Sequence, residues 1–460
     1  MCNGILAPKS SESAWLYRKT LFWNEKATVR YHPIDHSLFI ENRKSLAARL
    51  EPKSVAVFHS SDILPKSADG VRRFVQQTDL FYLSGIDQEE TILVICPDAR
   101  EEKHREVLFV RETNEKIAVW EGSKLTQEEA GSVSGIRQVY WTSRFRDIFR
   151  ELALESDFIY LNTNEHSRAD VSVQTRDDRF IEWCQSAFPL HRYRRIAPIM
   201  HHLRAVKSPI EIELMRRACR ISEKAFRRIL GMIRPGVWEF EIEAELYHEF
   251  LRNRSRGPAY DPIIASGADT CVLHYIKNNK QCRDGGLVLM DFGAEYANYA
   301  SDLTRTVPVN GRFTPRQRAV YDAVLRVQRA AIDMLRPGIA LKEYHRQVGE
   351  IMERELIELG LLQASEVKDQ DPEKPLYRRY FMHGTSHYMG LDVHDYGDKH
   401  RAFESGMVFS CEPGIYIQEE GLGVRIENDI LITPGDPVDL MQAIPVEAEE
   451  IESLMKSGIG

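Results

Sequence analysis

None of the seven cysteines pairs with another at C-x-x-C spacing. That excludes thiolate zinc sites and dithiol redox chemistry, and an odd, scattered set predicts free thiols in a reducing compartment. No apolar run approaches the roughly 18 residues of a membrane span; the longest, Thr91 to Cys96, has the length of a strand. The opening MCNGILAPKSSESAW has no basic segment followed by a long apolar one. The expectation is therefore no export signal, no membrane association and a cytoplasmic location. Positive charge is not in excess: 61 Lys and Arg stand against 69 Asp and Glu, a formal charge of −8, so binding along nucleic acid is excluded. Proline (20) and glycine (27) are too sparse for a collagenous or low-complexity chain. With 43% hydrophobic and 28% charged residues over 460 positions, the composition is that of a globular protein of about two domains.

The first half alternates in pattern. Phe39, Leu46 and Leu50 keep helical spacing, then short β-branched and aromatic runs follow at Val55–Phe58, Thr91–Ile95, Val107–Val110 and Phe158–Leu161, with a helical stretch near Phe180 to Cys184. Strands interleaved with helices predict an α/β domain ending near residue 195. His32 and His36 are four apart, but Pro33 between them argues against a helical chelate and for solvated side chains. No catalytic constellation is visible in this half.

A helix start follows at Ser208-Pro209-Ile210-Glu211, with a capping serine, proline at the first helical position and a glutamate completing a capping box. Ile210, Leu214, Ala218, Ile221, Ala225 and Ile229 form one face of the helix, which Pro235-Gly236 stops. A second copy begins at Thr314-Pro315-Arg316-Gln317. Its ending, Met334-Leu335-Arg336-Pro337-Gly338, matches Met232-Ile233-Arg234-Pro235-Gly236 at Met, Arg, Pro and Gly. Two related halves with a site between them are expected.

Four carboxylates interrupt segments that read as buried strands: Asp291 in Leu287–Phe292, Asp302 in Tyr299–Val307, Glu412 after Val408–Cys411, and Glu427 between Val424 and Ile432. An unpaired buried carboxylate costs several kcal/mol, by order of magnitude. The nearby arginines, Arg425 and Arg305, are too few to balance four, whereas two divalent cations would. Period-two spacing puts Arg425, Glu427 and Asp429 on one face. Asp291 and Asp302 flank a turn-like segment and are expected opposite one another on an antiparallel pair. Residues 383–395, HGTSHYMGLDVHD, add His383, His387 and His394 in a glycine-bearing stretch that is not a helix, with His274 upstream.

In that order, Asp291, Asp302, His387, Glu412 and Glu427 resemble the ligand series of the pita-bread dinuclear metallopeptidases, the creatinase and methionine-aminopeptidase superfamily. The segments LVLMDFGAEYANYASDLTRTVPV, FMHGTSHYMGLDVHD, VFSCEPGIYI and GVRIENDILIT are similar to blocks of its aminopeptidase P branch, and DLFYLSGIDQEETILVI resembles that branch's N-terminal domain. The resemblance implies an α+β fold: an extension at 1–25, an N-terminal α/β domain at 26–195, and a pita-bread catalytic domain at 196–460. It implies two divalent metals, with Asp302 and Glu427 bridging, Asp291 completing one site, and His387 with Glu412 completing the other. An oxygen-rich set favours manganese(II). Glu412 doubles as the base for the attacking water. His274, His383 and His394 match catalytic or substrate-contacting histidines, Arg425 contacts substrate, and Tyr416 and Asp429 support the ligands from outside. The implied substrates are peptides with proline second, and the implied assembly is a dimer or tetramer.

Other readings fit less well. Xaa-Pro dipeptidase (prolidase) shares the metals, but serine at 386, before the ligand histidine, is the aminopeptidase P pattern. A non-catalytic relative would lack ligands that this chain keeps. The pair Ser386–His387 has no nucleophile elbow around it, and Gly421-Leu422-Gly423 has no third glycine for a nucleotide site.

Overall fold

The computed structural model describes residues 30–166, 168–169 and 172–457; the expected extension at 1–25 lies outside them. The N-terminal unit is built on a six-stranded sheet: β1 (Ser54–His59), β2 (Ile92–Ile95), β3 (Glu106–Val110), β4 (Gln138–Trp141), β5 (Phe158–Leu161) and β6 (Arg192–Arg195), in the order β4-β3-β2-β1-β5-β6. The β1–β2 and β2–β3 pairs are antiparallel and the other three parallel. One face, with Val55, Val57, Val107 and Phe109, packs on Phe145, Phe149 and Phe180 of two covering helices. The other face, with Ala56, Phe58 and Leu108, joins Leu46 and Phe81 in a core that runs on into the second unit. Covering both faces explains why the central strands read as continuous apolar runs. The edge strands β4 and β6 are at best half-buried, so Gln138–Trp141 and Arg192–Arg195 gave no apolar signal. Leu50 lies beyond the helix Ser37–Ala47.

Both capped starts form as expected. Ser208 accepts from the Glu211 N–H ahead of helix Pro209–Leu230, and Thr314 accepts from the Gln317 N–H ahead of helix Pro315–Asp333. Each helix ends before its Arg-Pro-Gly, because the residue before proline disfavours the helical region. Gly236 (φ 93°) and Gly338 (φ 102°) then turn the chain into helices Glu239–Arg252 and Leu341–Glu358. The repeated ending is thus the elbow of a helix pair, present once in each half.

The strands of the second unit are β7 (Ile263–Ser266), β8 (Leu287–Phe292), β9 (Glu295–Tyr296), β10 (Tyr299–Ala300), β11 (Leu303–Pro308), β12 (Val408–Cys411), β13 (Gly414–Ile417), β14 (Leu422–Arg425), β15 (Asn428–Leu431) and β16 (Val438–Asp439). One half carries the sheet β11-β8-β7, the other β12-β15-β16, with β13 pairing β14. The halves are stitched where the Glu427 N–H donates to the Thr304 carbonyl at 3.1 Å. Among the described residues no helix is long and apolar enough to cross a membrane.

Two geometric expectations need correction. Only Asp291 lies within a strand; Asp302, Glu412 and Glu427 occupy the positions just outside β11, β12 and β15. The partner of Asp291 across the ladder is Thr304, not Asp302, which sits two positions along. Two positions is one period of the strand, so Asp291 and Asp302 are diagonal neighbours on the same face.

Candidate metal centre and its cleft

Strand ends are where the carboxylates can turn from ladder to cavity. Asp291 comes from β8, Asp302 from the entry to β11, Glu412 from the exit of β12, and Glu427 from the break between β14 and β15. All four line one cleft of about 950 Å³, together with His274, His383, His387, His394 and Arg425. Glu165, His166 and Arg168 of the N-terminal unit line it too, so the first unit forms part of the wall.

Asp302, His387 and Glu427 bring ligand atoms within 4.8 Å of one another, the single such group of three among the described residues. His387 Nε2 lies 3.4 Å from Asp302 Oδ2 and 3.5 Å from Glu412 Oε1. Its Nδ1 faces the Tyr388 carbonyl at 3.1 Å, which places the ring proton there and leaves Nε2 a lone pair for a cation. Arg425 donates to Asp291 Oδ2 at 2.5 Å and to the Tyr416 hydroxyl at 2.8 Å. Tyr416 in turn sits 2.8 Å from His383 Nε2, while His383 Nδ1 donates to the Gly384 carbonyl. Both His383 nitrogens are thus engaged inside the protein. The His394 ring meets that of His387 edge-on at 4.4 Å between centroids. Asp429 lies behind the cleft, accepting from the Asp302 N–H and from the Cys219 thiol.

Burial dominates the electrostatics. It raises the Glu412 carboxyl to about 7, the Asp302 charge adding to the effect and His387 opposing it. Burial, then Asp302 and Glu412, holds Glu427 well above the carboxylate range, and burial also lifts Asp302 and Asp429. Burial opposes a charge on His387, but the Asp302 and Glu412 carboxylates facing Nε2 favour the protonated ring and hold its pKa above the usual value in the absence of a cation. Desolvation takes His383 and His394 down to about 3, with Arg425 and His387 respectively contributing, so both are neutral at pH 7. Carboxyls raised by burial first and by one another second, with only Asp291 among them paired to a guanidinium, are a donor set short of positive charge. Hard oxygen donors plus one imidazole fit divalent cations.

Two residues orient these ligands without having been singled out in the sequence. The Tyr260 hydroxyl shares its one proton between Asp291 Oδ1 and Asp302 Oδ1, tying the diagonal pair together. Burial and those two charges hold its pKa far above 10, so it stays a donor. Thr304 donates to Glu427 Oε2 at 2.5 Å and accepts from Arg425 Nε. Thr304 had a signal, since it follows Asp302 by two and shares its face. Tyr260, alone in a loop, had none. His345, on the helix Leu341–Glu358, also lines the cleft and sits 3.0 Å from the Ser386 carbonyl. Ser386 is buried and donates to the Tyr344 hydroxyl, away from any nucleophilic geometry. His32 and His36 are exposed and belong to no ligand group.

Known proteins place this arrangement. Residues 213–434 match the model of metallopeptidase family M24, and residues 39–160 match the aminopeptidase P N-terminal domain. The chain is 36% identical to an Xaa-Pro aminopeptidase of Escherichia coli over 92% of its own length and 98% of that protein. It is 31% identical to human Xaa-Pro aminopeptidase 3, over 93% of this chain and 85% of that one. Among solved structures, Pseudomonas aeruginosa aminopeptidase PepP superposes with a TM-score of 0.83 at 31% identity, covering 93% of this chain and 99% of that chain. The low-pH form of E. coli aminopeptidase P gives 0.81 at 35% identity, covering 93% and 99%. With both domain models matched in order and relatives of this identity spanning almost the whole chain, the protein belongs to metallopeptidase family M24, in its aminopeptidase P branch with the α/β N-terminal domain.

Proposed function

We propose that the chain removes the N-terminal residue from peptides whose second residue is proline, as a metal-dependent Xaa-Pro aminopeptidase. The observation that carries this reading is the convergence of Asp291, Asp302, His387, Glu412 and Glu427 on one buried cleft beside neutral His394. In our reading the five hold two divalent ions, manganese(II) by preference for an oxygen-rich set. When bound, such ions lower the pKa of a water and polarise the scissile carbonyl.

The chain's own groups do the rest. Glu412, at the exit of β12 with Oε1 3.5 Å from His387 Nε2, takes and returns the proton of the attacking water. His274 and His394 orient the peptide, and the neutral His394 donates to the developing oxyanion. An X-Pro bond lacks an N–H and has φ set by the ring. A site that grips the second residue by shape, between His383, His394 and Arg425, loses nothing by that lack. Tyr416 holds Arg425 and His383 in line, and Asp429 fixes the Asp302 backbone.

With this reading go a division into an N-terminal domain at 26–195 and a catalytic domain at 196–460, an assembly of two or four copies, and a cytoplasmic location. The six described cysteines are all free and buried, which supports a reducing compartment. Val119 and Trp120 are four-fifths exposed, an apolar step that a second copy would cover. Manganese-loaded protein should cleave Xaa-Pro-Yaa faster than Xaa-Ala-Yaa and faster than the dipeptide Xaa-Pro. Preference for the alanine peptide removes proline specificity, and cleavage of the dipeptide alone makes the enzyme a prolidase.

A further inference from the structure

We infer that Arg204, in the helix Ala197–Ala205 between the two units, is a positioning residue that sets His394 over the cleft by clamping both flanks of its loop to the N-terminal domain. This rests on the role proposed for His394. The Arg204 side chain is 1% exposed. One terminal nitrogen donates to Thr78 Oγ1 and Asp79 Oδ1, both at 2.9 Å, at the start of helix Thr78–Ser84 in the N-terminal unit. The other donates to Asp392 Oδ2 and Asp395 Oδ1, both at 2.6 Å. Those two aspartates bracket His394, two residues before it and one after.

Every oxygen of Asp395 is spoken for. Oδ1 also accepts from the Tyr396 N–H at 2.9 Å, and Oδ2 faces Lys207 Nζ at 3.2 Å. Thr78 completes the ring by donating to Asp392 at 3.0 Å. The loop is folded back so tightly that a Cβ on Gly390 would lie 2.0 Å from Asp395 Oδ2. A shift of Asp395 therefore has nowhere to go except along the chain to its neighbour His394.

Stability alone is a poor account of this cluster. Burying Asp79 and Asp395 and half-burying Asp392 with two cations is costly, and Arg204 Nε has no partner among the described groups. Well-packed apolar residues in its place would commonly be as stable or more so. What they could not do is fix direction. A planar guanidinium with separate pairs of donors sets the distance and angle between two segments.

Asp392→Asn tests this. Its side chain is 38% exposed, so the fold tolerates the change while the clamp loses a charge-assisted bond. With manganese loaded, kcat on an Xaa-Pro-Yaa peptide should fall about tenfold, as supporting contacts of an active-site histidine typically do. KM should stay within about twofold, and metal per chain should be unchanged. In a His394→Ala background, adding Asp392→Asn should cost nothing further, because its effect passes through that ring. Arg204→Lys keeps the charge but not the fork, and should reproduce the pattern where it folds. Unchanged kcat in Asp392→Asn, losses that multiply with His394→Ala, or metal lost in step with activity overturns the inference. If His394→Ala alone leaves turnover unchanged, the role proposed for His394 fails and the clamp has nothing to position.

Discussion

Two buried clusters of charge lie at either end of the segment from His387 to Asp395, and they are balanced differently. At the metal centre, of Asp291, Asp302, Glu412 and Glu427 only Asp291 is ion-paired to a guanidinium among the described residues, that of Arg425. At the clamp, Asp79, Asp392 and Asp395 face Arg204 and Lys207. Burial works against charge in both places. Arg204 and Lys207 hold the Asp395 carboxyl below the usual range although burial lifts Asp392 beside it, whereas in the cleft Asp302, Glu412 and Glu427 are all pushed up. The residue types are the same; the count of built-in cations differs. The clamp carries two cations of its own for three carboxylates, and the cleft is a set of acceptors short of positive charge.

The sharpest way to break this comparison is to neutralise one carboxylate in the cleft. Asp302→Asn should lower kcat/KM by roughly 10³-fold or more and reduce the metal bound, read by elemental analysis. Asp429→Asn should cost far less, because an amide oxygen can still accept the Asp302 N–H. If Asp302→Asn kept full metal, the cleft would be balanced in some other way.

Removing the metal comes next. A cation present at about a thousand times its Kd stabilises the fold by about 4 kcal/mol, so a chelator should shift the urea midpoint downward by a corresponding amount. The clamp should not respond, since its own cations are covalently part of the chain. An unchanged midpoint after verified metal loss would mean that the cleft carboxylates tolerate one another unaided.

Tyr260→Phe is a smaller perturbation. It removes the hydroxyl shared by Asp291 and Asp302 and leaves the ring. Turnover should fall about 10–100-fold, the usual cost of losing an orienting partner, with the fold intact by circular dichroism. Equal activity would show that the diagonal pair needs no bridge.

The smallest effect concerns pH. Desolvation takes His345 down to about 4 from an ordinary 6.5, so the folded state binds fewer protons than the unfolded state between those values. Its contribution is complete above pH 6.5 and is lost as pH falls through the window toward 4. Allowing for partial exposure, about 1 kcal/mol should go between pH 7 and 5. Denaturation of His345→Gln at the two pH values should show a shallower fall than the parent; an equal fall would assign the slope elsewhere.

Much of this was legible in the residues because it rests on local rules. Capping boxes at Ser208 and Thr314, the Pro-Gly elbows and the apolar central strands all follow from backbone sterics and periodicity. The carboxylates were conspicuous because Asp291, Asp302, Glu412 and Glu427 interrupt apolar text, where charge is expensive. The sequence by itself thus determined which residues had to find a partner. Only the tertiary structure decided which partner each found. Tyr260 reaches two aspartates more than thirty residues downstream, Thr304 links Glu427 to Arg425 across the two halves, and Arg204 joins Thr78 to Asp392 across the units. Such contacts leave no period in the chain. A lone tyrosine or arginine has the same local signature exposed or buried, and its place is set by how the sheets dock.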